Sequence, residues 1–122
     1  MQRAQASTSA SLRPLLALLE LVGAKEAPAL LVQLRADLLA CDATILAAAP
    51  SGDWLALRRA SHNLTALAGT AGACGLHALA ESLNRAAHDQ DPAALTRILP
   101  ELRQALAALV AEILALSDRV QP

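Results

Sequence analysis

The sequence predicts an all-α fold, an antiparallel up-and-down four-helix bundle with a short additional N-terminal helix, and three observations lead there. Thirty Ala and 26 Leu supply almost half of the 122 residues, against seven Val and Ile together, so the apolar content lies in helix formers rather than strand formers. Apolar residues recur at spacings of three and four along four substantial stretches. Short links join these stretches, which makes consecutive helices antiparallel neighbours around one core. No internal repeat points to a solenoid.

Each element has its own signals. Residues 12–22 (LRPLLALLELV) predict a short capping helix, with Pro14 in its first turn and Gly23 as its stop. From Ala27, the positions Leu30, Leu31, Leu34, Leu38, Cys41 and Ile45 form the stripe of a long amphipathic helix, and Pro50-Ser51-Gly52 ends it. A third helix starts near Ser51 or Asp53, with Leu57, Ala60, Leu64, Leu67 or Ala68, and Ala71 toward the core; Gly69 and Gly72 weaken its end. Leu76, Leu79, Ala80 and Leu83 give the fourth stripe, and the polar run His88-Asp89-Gln90-Asp91 is the next turn. Asp91-Pro92 is an N-cap and N1 pair opening the last helix, whose stripe runs through Leu95, Leu99, Leu102, Leu106, Leu109, Ile113 and Leu116. Pro100 falls inside that stripe, so a kink or break is expected there.

Composition excludes several functions. With ten basic and eleven acidic residues, a formal net charge of −1, and Trp54 as the single aromatic, the chain has neither a positive field for phosphate backbones nor a stacking platform for bases. Nucleic-acid binding is not expected. Cys41 and Cys74 lack CxxC spacing and form no ligand cluster with His62, His77 or His88, so no metal or other cofactor is expected; they read as small buried thiols of a reducing, cytoplasmic compartment. Residues 1–11 (MQRAQASTSAS) lack the features of a secretory signal and read as a disordered leader or linker, leaving 12–120 as the folded domain. The run Leu64–Ala80 has no charged residue, but its three glycines, two threonines and histidine argue against a membrane span, and direct membrane insertion is not expected. The glycines of GTAGACG follow no strand and precede no Lys, so they are not a nucleotide loop. Ser61 and His62 diverge by about 100° on a helix and do not face each other as nucleophile and base. His77 and His88 read as surface residues, neither in an i, i+4 metal pair, and Trp54 as a packing residue at the end of the bundle.

The third helix carries the chemistry. Taking Leu64 as the core direction, His62 points roughly 160° away, into solvent. On the same outer face lie Arg58 and Arg59 one turn before it, and Thr65, Ala66 and Gly69 one and two turns after. Small neighbours leave the imidazole open to another protein's surface, and two guanidinium groups can attract and pair with a phosphoryl group. That suits a transient phosphate carrier. The same residue types also fit an ordinary exposed histidine beside two solvated cations.

The stretch GDWLALRRASHNLTALAGTAGACGLHALAESL, from Gly52 to Leu83, resembles the signature of histidine-containing phosphotransfer (HPt) domains of bacterial two-component phosphorelays, roughly H-x-L-K-G-x-[AS]-x-x-x-G-x-x-x-L. Without a gap, His62 falls on the phosphorylated histidine, Leu64 on the core leucine, Ala68 on the small position, Gly72 on the glycine and Leu76 on the next helix's leucine. With the five-helix layout, the resemblance extends over about residues 12–117. Three positions depart from it: Thr65 stands where the family has Lys, Ala66 where it has Gly, and Asn84 where an acidic residue often follows.

The resemblance implies a monomeric phosphorelay intermediate that takes a phosphoryl group on His62 from a receiver-domain aspartate and passes it to another receiver. It also implies a domain with no ATP site of its own, freestanding or the C-terminal module of a hybrid histidine kinase. In that scheme Arg58, Arg59, Thr65, Ala66 and Gly69 stabilise the phosphate or dock the receiver, and the receiver brings the acidic pocket and Mg²⁺. Two other readings stay open. One is a degenerate HPt-like docking adaptor that carries no phosphate; the other is a structural module whose Ala and Leu stripes mediate oligomerisation.

Overall fold

A computed structural model describes residues 12–120. The expected leader, residues 1–11, lies outside them. Five helices pack against one another: α1 (Arg13–Val22), α2 (Ala27–Ser51), α3 (Trp54–Ala71), α4 (Cys74–His88) and α5 (Pro92–Arg119). Each of α2 to α5 packs on two of the other three, α2 on α3 and α5, α4 on α3 and α5, and α1 lies on α2 and α3. Among the described residues there is no strand, and no helix is long and apolar enough to cross a membrane. The uncharged run Leu64–Ala80 is divided between α3 and α4 by the turn at Gly72.

The helices start and stop where local chemistry dictates. Asp53 caps α3 by accepting from Ala56 N (3.1 Å), and Asp91 caps α5 by accepting from Ala94 N (3.1 Å). The three turns from α2 to α5 share one hydrogen-bond pattern. After α2, Gly52 N donates to Ala49 O and Asp53 N to Ala48 O; after α3, Gly72 N donates to Gly69 O and Ala73 N to Ala68 O; after α4, Gln90 N donates to Ala87 O and Asp91 N to Ala86 O. This is the Schellman closure, which needs a left-handed residue. Gly72 provides it at φ +78°, whereas Gln90 adopts φ +53° with a full side chain.

The core follows the predicted stripes. Leu31, Leu38 and Ile45 of α2, Leu57 and Leu64 of α3, Leu83 of α4, and Leu102 and Ile113 of α5 are fully buried, with Leu15 of α1 against them. Leu30, Leu79 and Leu99 sit at the edges of their stripes and are half-buried. Trp54 packs on the core as the first residue of α3.

Two expectations need correction. Helix α5 does not break at Pro100; it runs unbroken from Pro92 to Arg119. Pro100 and Thr96 are both exposed, so the ring projects outward and the Thr96 carbonyl, deprived of its amide partner, faces water, while Leu95 and Leu102 stay buried on the inner side. Pro100→Ala restores that hydrogen bond and removes the helix penalty, and is expected to raise stability by about 1–3 kcal/mol in a thermal or urea melt. Secondly, only one cysteine is buried. Cys41 is in the core, and burial, followed by the charge of Asp37, pushes its thiol pKa up; Cys74 is exposed at the start of α4, its Sγ 3.6 Å from Gly72 O.

Candidate functional site

His62 is exposed on α3, one helical step from the buried Ser61 and two from the buried Leu64. It opens into a shallow hollow of about 540 Å³ lined by Leu55, Arg58, Arg59 and Asn63 from its own helix and by Asn84 from α4. Arg58 and Arg59 stand one turn before His62, as helical spacing requires. The two ion pairs among the described residues, His77–Glu81 and Asp42–Arg103, involve neither arginine, so both guanidinium groups are free to meet an anion.

A polar staple lies under this surface. Ser61 is fully buried, and its hydroxyl donates to Arg58 O at 3.0 Å. Asn84 reaches across from α4, its Nδ2 donating to Ser61 Oγ at 3.1 Å and to Arg58 O at 3.3 Å. These bonds account for the one buried polar residue of the core: no buried side-chain nitrogen or oxygen among the described residues lacks a partner. They also fix the position of α3 against α4 at the turn that presents His62.

The remaining candidates go elsewhere. Thr65 is half-buried, and its hydroxyl donates to Ser61 O at 2.8 Å, which commits its only hydrogen to the helix backbone. Ala66 lines a second groove, of about 660 Å³, between α2 and α3, whose other walls include Asp37, Cys41 and Thr44. Arg59 and Asn63 border both depressions and form the ridge between them. Gly69 faces α4: a Cβ placed there would lie 3.6 Å from the His77 ring, ordinary contact distance. The structure therefore joins Arg58, Arg59 and His62 in one hollow, and sets Thr65, Ala66 and Gly69 around its edge and beyond.

Sequence reasoning passed over Leu55, Asn63 and the staple role of Asn84. Leu55 precedes His62 by two helical turns, a spacing that could have found it. His77 also has an i, i+4 carboxylate after all, with Nδ1 3.7 Å from Glu81 Oε1. No group of three His, Cys, Asp or Glu side chains among the described residues is placed to hold a metal ion. Comparison of the chain with protein-family models, with curated proteins and with solved structures gives no match in any of the three.

Proposed function

We propose that this chain is a phosphocarrier of the HPt kind, with α2 to α5 as an antiparallel up-and-down bundle, α1 as its cap and His62 as the phosphoacceptor. The observation that carries the reading is the hollow itself: an exposed imidazole with two unpaired guanidinium groups one turn away, on a helix face otherwise open to a partner. In this mechanism the unprotonated ring nitrogen of His62 attacks the phosphorus of a receiver's aspartyl phosphate. The new N–P bond forms as the P–O bond to the aspartate breaks, the carboxylate leaves with the bonding pair, and the proton on the other ring nitrogen stays in place. Arg58 and Arg59 neutralise the phosphoryl oxygens, and the receiver brings its acidic pocket and Mg²⁺. Transfer to a second receiver reverses these steps. The partners are receiver domains in a cytoplasmic setting.

A second reading, a docking adaptor without phosphate transfer, draws support from Thr65, whose hydroxyl is turned to the backbone where the resembling family places a lysine. One experiment separates the two. The purified chain is mixed with a phosphorylated receiver domain, or with phosphoramidate, and its intact mass is followed. A carrier gains one acid-labile phosphoryl group; a chain that binds a competent receiver yet gains none is an adaptor.

A further inference from the structure

Helix α2 is apolar on two opposite faces, and the core accounts for only one. Leu31, Leu34, Leu38, Cys41, Ile45 and Ala48 point inward. On the far side Val32, Leu39 and Leu46 recur every seven residues and are 63%, 44% and 53% exposed. Three residues before each stand Ala29, Ala36 and Ala43, all exposed as well. A helix with two opposite apolar faces normally has protein against both. The outer pattern is a heptad seam with Ala at one core position and Val or Leu at the other, the pair occurring three times over roughly 26 Å of helix.

We propose that this seam is the interface of an antiparallel homodimer, α2 lying against α2 of a second copy of the chain. What singles out a second copy is that the seam complements itself. With the two helices opposed, Ala29 meets the second copy's Leu46, Val32 its Ala43 and Ala36 its Leu39, and the two-fold axis repeats each layer. Every layer then joins one small and one large side chain, which lets the axes approach toward the lower end of the usual 8–10 Å range. A parallel pair would stack Ala on Ala and Leu on Leu, alternating voids with crowding. The flanks agree with the opposed arrangement: Arg35 falls beside the second copy's Asp42, and Asp42 beside its Arg35, while the other flank carries only Gln33 and Ala40. Asp42 is held ready by Arg103, which donates to its two carboxylate oxygens at 2.9 and 3.2 Å. Small against large and positive against negative, both related by one two-fold axis, is the signature of an isologous contact. The His62 hollow is built from α3 and α4, so both copies keep it open.

This inference does not depend on the phosphocarrier reading, and its test is the oligomeric state. Sedimentation equilibrium of the full chain, under reducing conditions so that Cys74 cannot cross-link, is expected to show a dimer that dissociates on dilution. Leu39→Asp should be monomeric throughout the same range with an unchanged helical circular dichroism spectrum, because Leu39 lies outside the core. Arg35→Asp should weaken the dimer about ten-fold by turning two attractions into repulsions. A wild-type chain that stays monomeric at hundreds of micromolar overturns the proposal, as does a dimer that survives Leu39→Asp. Arg35→Asp dimerising as tightly as wild type overturns the antiparallel register.

Discussion

His62→Gln is expected to abolish phosphoryl uptake while leaving the fold untouched. The carboxamide keeps a comparable size and polarity but offers no nucleophilic ring nitrogen, and an exposed substitution of this kind shifts stability by no more than about 0.5 kcal/mol. The arginines grade the same result. Arg58→Ala with Arg59→Ala should slow formation of the phosphorylated species by about 10–100-fold, since each charge-assisted bond to phosphate contributes about 1.5–3 kcal/mol before solvent screening reduces it. The staple should survive this double substitution, because Asn84 and Ser61 bond to the backbone carbonyl of Arg58 and not to its side chain. The readout is the rate at which an acid-labile phosphoryl group appears by intact mass. Uptake by His62→Gln at the wild-type rate would move the chemistry to another residue, His77 or His88 being the remaining histidines.

Leu64→Ala is expected to have the opposite profile, a large loss of stability. Leu64 is fully buried among core residues, and leucine-to-alanine truncation at such sites removes about 3–5 kcal/mol through lost transfer free energy and the residual cavity. For a domain of this length that corresponds to a fall in Tm of roughly 12–30 °C. Urea denaturation should show a lower midpoint with an unchanged slope, the sign of a weakened native state and not of a looser denatured one. A cost below about 1 kcal/mol would mean that Leu64 does not hold α3 in the core. Two positions two residues apart are thus expected to separate cleanly, one affecting transfer alone and the other affecting the fold.

Much of the helix layout was readable from periodicity because a single strong stripe marks each element. In α3, Leu57, Ala60, Leu64, Ala68 and Ala71 are all buried at the expected spacings, and Asp53 and Asp91 cap the helices they precede. Intrinsic preference misled where tertiary context decides. Pro100 stays inside a helix because the Thr96 carbonyl that it leaves unpaired faces water. The outer face of α2 escaped notice because the core stripe absorbs the strongest signal, and Ala marks neither an inner nor an outer surface. At the candidate site, the grouping of Arg58, Arg59 and His62 follows from one helix alone. The parts supplied from elsewhere, Asn84 above all, depend on how α4 is set against α3, and that is fixed by the Gly72 turn and the staple, not by any local pattern.

The placement of both arginines on one side of His62 also gives its surface an electrostatic slope. Asn84 lies against Arg58 and Ser61 while His77 lies beside Gly69, so the two helices run in opposite directions, and Glu81, paired with His77, is not among the residues that line the hollow. The cations of the hollow, Arg58 and Arg59, stand toward the start of α3, one turn before the imidazole. On the other side of the imidazole the chain places the tied hydroxyl of Thr65 and the small residues Ala66 and Gly69. On the phosphocarrier reading, an oxyanion arriving over His62 is drawn toward the two arginines, on the Leu55 side of the ring. Such a gradient selects the angle of approach and not merely the charge of the visitor. It flattens as added salt brings the Debye length, about 8 Å at physiological ionic strength, below the span of the hollow.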